Sequence, residues 1–147
     1  MMVGMGRQPR GDKVEWASVL AHRPQGTHPD VIGRFEAAGI EPKQVLEVLS
    51  DAGDALYAAS LAGGDDWAEP FGGPLAAALL AAEISALAAH LNSRASALRA
   101  AAVNVLLDGY SAVTVGAYLG VSRQKVYEIG RGEITNSYLE QTPWRRA

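Results

Sequence analysis

The sequence predicts an all-α protein, a helical bundle with a long alanine-rich helical segment, and three observations carry that prediction. Alanine, the strongest helix former, accounts for 26 of 147 residues, while β-branched residues are thin. Apolar residues recur at intervals of three and four along most of the chain. Glycines and prolines gather between those stretches, where helices must stop and start. A hydrophobic share of 48% with only 20% charged residues excludes a chain too polar to bury a core.

Residues 1–11 read as a flexible leader, with glycines, a proline and no periodicity. Asp12 is placed to cap a helix reaching His22, with Val14, Ala17, Leu20 and Ala21 on one face. Arg23-Pro24-Gln25-Gly26 breaks it. A second helix starts at Pro29, a favoured first-turn residue, buries Val31, Ile32, Phe35 and Ala38, and ends at Gly39. Pro42 opens a third, predicted to run unbroken to Leu61 or Ala62 with Val45, Leu49, Ala52, Leu56 and Ala59 on its apolar face. Gly63-Gly64 ends it, and residues 64–73 form a loop of Gly, Asp and Pro.

From Pro74 no strong breaker appears before Gly109; Asn92-Ser93 is the weakest point, where Ser93 is placed to cap a new helix. Ile84, Leu91, Leu98 and Val105 repeat every seven residues, with Leu80, Leu87, Arg94 and Ala101 as the companion row. Such a seam serves a coiled coil or the protein's own bundle. Leu80, Ile84, Leu87, Leu91 and Leu98 are the expected homodimer residues. The most apolar stretch, Leu75 to Leu91, carries Glu83 near its middle, where a carboxylate would cost about 2.5–3.5 kcal/mol in a bilayer, so a soluble helix without membrane contact is expected.

After Ser111 the chain changes character: SAVTVGAYLGVSRQKVYEIG. Ser111 caps a helix through Leu119, Gly120 supplies a positive-φ corner, and Ser122 caps a second helix through about Ile129. Gly116 provides a small residue where the two helices cross, and Val115, Leu119, Val121, Val126 and Ile129 lock the pair. Ala112 to Ile129 resembles the helix-turn-helix of bacterial and phage DNA-binding proteins, which completes the fold class with a C-terminal helix-turn-helix. Those proteins more often have alanine where Gly116 stands, so the resemblance implies that Gly116→Ala is tolerated. It covers this motif alone and assigns nothing to the N-terminal region.

The resemblance implies a recognition helix in the major groove, its first turn nearest the bases. It assigns base contacts to Ser122, Arg123, Gln124, Tyr127 and Glu128: arginine would pair with guanine and glutamine with adenine, while glutamate would either accept from a cytosine amino group or stand as a solvated charge. Ser111, Lys125, Arg131 and the backbone N–H groups at both helix starts would meet phosphates. The charge distribution agrees, with a net of −6 over residues 1–93 and +3 over residues 94–147. This divides the chain into the leader, a helical dimerisation or partner-binding region (12–93), and a DNA-binding module with a short basic tail, Trp144-Arg145-Arg146-Ala147 (94–147).

Other chemistry finds little support. Without cysteine there is no disulfide, thiolate metal site or cysteine nucleophile, and His22, His28 and His90 lack metal-ligand spacing. Asp65, Asp66 and Glu69 lack the spacing of a calcium loop. Trp16, Trp67, Trp144 and Phe71 read as core or loop anchors. The expectation is a non-enzymatic, cytoplasmic protein without metal or cofactor. It would bind double-stranded DNA sequence-specifically as a homodimer, as a transcriptional regulator of a bacterium or its mobile element. Alternatives are a DNA-binding protein of plasmid partition, recombination or phage packaging, or a protein-interaction adaptor using the same helix pair.

Overall fold

Every regular element in the computed structural model, which describes residues 14–132, is a helix. Residues 14–87 pack as one unit and residues 88–132 as a second. The first unit holds α1 (Trp16–Val19), α2 (His28–Ala37), α3 (Pro42–Ser50), α4 (Asp54–Ala62) and the beginning of α5 (Pro74–Gly109). The second holds the rest of α5, then α6 (Ala112–Leu119) and α7 (Arg123–Gly130). The all-α class is therefore what the chain adopts. Asp12, the leader, Trp144 and the arginine-rich end lie outside the described residues.

In the first unit, α1 is shorter than its periodicity predicts. It ends at Val19, with Val19 and Leu20 buried and Ala17 exposed. The early stop turns His22 and Arg23 toward α5. On α2, Val31 and Phe35 are buried, and Trp16 stacks on Phe35 with ring centroids 5.5 Å apart.

The predicted helix from Pro42 to Ala62 is two helices. Ala52 (φ 58°) and Gly53 (φ 82°) both adopt the left-handed conformation between α3 and α4. The Asp51 carboxylate accepts from the backbone N–H groups of Gly53 (2.9 Å) and Ala55 (3.2 Å), so the new helix start is satisfied locally. Ile84 presses into the space that glycine leaves: a Cβ at position 53 would sit 2.5 Å from its Cδ1. Ala52, expected on a buried face, is an exposed turn residue.

Helix α5 runs unbroken through Asn92-Ser93, so Ser93 starts no new helix. By length and composition alone it is long and apolar enough to cross a membrane. In the first unit it buries Ala76, Ala77, Leu80 and Leu87 against Val31, Phe35, Val45, Leu49 and Leu56, with Ile84 packed alongside. Three of the five expected dimer residues thus belong to the protein's own core or its edge, whereas Leu91 and Leu98 are exposed.

The same stretch carries a charge cluster that no spacing foretold. Glu83 is buried, and its Oε2 accepts from His22 Nε2 (2.5 Å) and Arg23 Nε (2.7 Å), while Oε1 accepts from Arg23 Nη2 (2.9 Å). Burial pushes the Glu83 carboxyl up, but the hydrogen bonds from His22 and Arg23 and their positive charge outweigh it. The net effect holds the group below the ordinary glutamate range.

Candidate nucleic-acid interface

Within the second unit, two eight-residue helices meet across a tight turn. Each begins at a serine in extended conformation. Ser111 Oγ accepts from Thr114 N (3.1 Å), and Ser122 Oγ accepts from Lys125 N (3.1 Å). Each cap satisfies an amide that has no partner in the first turn. Helix α6 ends at Gly120 (φ 74°), and Val121 N donates to the Gly116 carbonyl at 2.9 Å, closing the corner.

At Gly116 the approach is tighter than the sequence implies. A Cβ there would lie 2.7 Å from the Val121 carbonyl oxygen and 3.5 Å from both the Ser122 carbonyl carbon and Val126 Cγ2. Backbone, rather than a movable side-chain tip, occupies the place. The expectation that alanine is tolerated is corrected accordingly: in this chain the crossing is built for glycine.

The helix pair is held by a core of Val103, Ala112, Val115, Val126 and Ile129, with Leu106, Leu107 and Val121 packed around it. Val115 and Val126 are fully buried. Leu119 is not a locking residue; it is 41% exposed, and Ala112 fills the core position on α6 instead. Periodicity within the motif could not reveal the contribution of α5, which supplies Val103, Leu106 and Leu107. Asn104 Nδ2 on α5 also donates to the Gly130 carbonyl at the end of α7 (2.9 Å), a tie absent from the sequence reading.

That core leaves one face of α7 in solvent. Ser122, Arg123, Gln124, Lys125, Tyr127 and Glu128 are all exposed, as are Ser111 and Arg131. Comparison with family models, curated proteins and solved structures finds no match. The chemistry of this face is therefore read from its own side chains.

Lys125 Nζ stands 3.8 Å from Glu128 Oε1, one helical turn along. So long and exposed a pair is weak and leaves both groups available. Tyr110 and Tyr118 lie edge to face with centroids 5.9 Å apart, both exposed, an arrangement of phenols that the sequence reading did not single out. Residues 88–132 contain five Lys/Arg against two Asp/Glu, a local positive balance within an acidic chain. Among the described residues, no cluster of histidine and carboxylate side chains can hold a metal ion.

Proposed function

We propose that the second unit binds double-stranded DNA sequence-specifically, with α7 as the major-groove recognition helix, and that the protein acts as a homodimeric transcriptional regulator. The observation that carries this reading is the crossing at Gly116. It fixes two short capped helices at close range with one face of α7 committed to the core and the other left polar and exposed. A helix needs such a free face, rigidly backed, to enter a groove about 12 Å wide. Arg123 and Gln124, in the first turn, are the residues assigned to guanine and adenine. Ser122, Tyr127 and Glu128 complete the base-facing set, and Ser111, Lys125 and Arg131 are assigned to phosphates. Partition, recombination and packaging proteins would use the same face and differ in the arrangement of their sites.

Selection of bound duplexes from a random library tests the proposal. Arg123→Ala and Gln124→Ala should each relax preference at one base position, by about 1–3 kcal/mol, with helicity unchanged. A wild-type protein that enriches no sequence and shows no salt-dependent gel shift would overturn the reading in favour of a protein-interaction adaptor.

A further inference from the structure

On α5 between Leu91 and Gly109, a second surface has no role in the reading above. Leu91, Ala95, Leu98, Ala102, Val105 and Gly109 are spaced alternately four and three residues apart, the 3.5-residue period of a coiled-coil seam. All six are exposed; Leu98 is 63% and Val105 71% accessible. None belongs to the core of the second unit, which takes Val103, Leu106 and Leu107 from the adjoining side of the helix. The exposed row differs from the five expected dimer residues in losing Leu80, Ile84 and Leu87 and gaining Ala95, Ala102, Val105 and Gly109.

We infer that this row pairs with the same row of a second copy of the chain, antiparallel, about a two-fold axis near Ala100. The reason is the order of sizes. Read from Leu91 onward, the row alternates large and small at every step. A reversed copy therefore sets Leu91 opposite Gly109, Ala95 opposite Val105 and Leu98 opposite Ala102, a small residue against a large one in every layer. A parallel copy would stack alanine on alanine and leave voids.

Charge selects the same orientation. Parallel pairing brings Arg94 of one copy beside Arg99 of the other, twice. Antiparallel pairing brings Arg94 near Asp108 of the second copy, twice. Only Arg99 meets its own copy, near the axis, where its long stem lets the guanidinium reach water. The paired length is about 27 Å at 1.5 Å per residue, and small residues allow approach at the close end of the 8–10 Å range. The surface is self-complementary, as a closed two-fold dimer requires.

The pairing does not depend on DNA binding. If the proposed function also holds, the two recognition helices are related by the two-fold, and selected sites are inverted repeats.

The absence of cysteine makes the test clean in the full chain. Ala95→Cys and Val105→Cys proteins, mixed and oxidised, should cross-link as a mixed dimer, while neither links to itself. Cross-linking of Ala95→Cys alone would overturn the antiparallel arrangement. Sedimentation should show a dimer at tens of micromolar, and Leu98→Glu should weaken it by at least about 30-fold without loss of helicity, since that side chain is exposed. A monomeric wild-type protein overturns the pairing. So does one that floats with phosphatidylcholine–phosphatidylglycerol vesicles through this row. Loss of the dimer with half-site DNA binding retained separates this inference from the function proposed above.

Discussion

Gly116, Ala52 and Glu83 each tie a single side chain, or the lack of one, to a measurable stability. Gly116→Ala places a methyl group against the Val121 carbonyl, so it should lose about 1–3 kcal/mol from overpacking despite the better helix propensity of alanine. Urea denaturation gives the number, and a neutral result would show that the turn can yield. Ala52 presents the opposite case. Its left-handed φ of 58° strains a residue with a Cβ, so Ala52→Gly should cost nothing and is expected to raise stability by up to about 1 kcal/mol. Glu83 links stability to pH. Its depressed folded value means the unfolded chain takes up a proton at higher pH than the folded one does. The stabilisation is fully present above the ordinary glutamate range and drains away as pH falls through it toward the folded value. Melting followed from neutral to acid pH should show this loss. Glu83→Gln should flatten it while lowering stability at neutral pH by about 3–5 kcal/mol, because Arg23 and His22 lose a buried charged partner.

Helix boundaries were legible where their chemistry is local. Ser111, Gly120 and Ser122 mark the starts and the corner of α6 and α7, and each acts through atoms within a few residues. Gly39 and Gly63, both at positive φ, mark the ends of α2 and α4. The break between α3 and α4 was hidden because the apolar spacing continues across it. Its signal is Asp51 two residues before Gly53, a side chain that caps the next helix, and replacing it by alanine should cost about 0.5–2 kcal/mol. The division of labour along α5 was equally hidden. One row of leucines reads the same from sequence whether it meets a core or solvent, and only packing shows that Leu80 is buried while Leu98 is not. Nor can spacing reveal partners that lie some sixty positions apart, as with Arg23 and Glu83. For the α6–α7 face, the sequence identified which side chains are exposed but missed the Asn104 tie and misplaced Leu119.

Across the whole molecule, charge is distributed unevenly. Residues 14–87 hold three Lys/Arg against eleven Asp/Glu, while residues 88–132 have the opposite balance. If the second unit contacts phosphates, affinity should fall linearly on a log–log plot against salt. Lys125→Ala should then reduce the slope by about one and weaken all sequences alike, as filter binding at several salt concentrations would measure. A further consequence of the Arg23–Glu83 pair concerns synthesis rather than stability. Sixty positions separate the two residues, so at about 5–20 residues per second the ribosome finishes Glu83 some 3–12 s after Arg23. The first four helices emerge with Leu20, Phe35 and Val45 still lacking the α5 residues that cover them. Over that interval the nascent chain offers apolar surface to chaperones, and the emergence of α5 through Leu87 from the ribosome is the event that closes it.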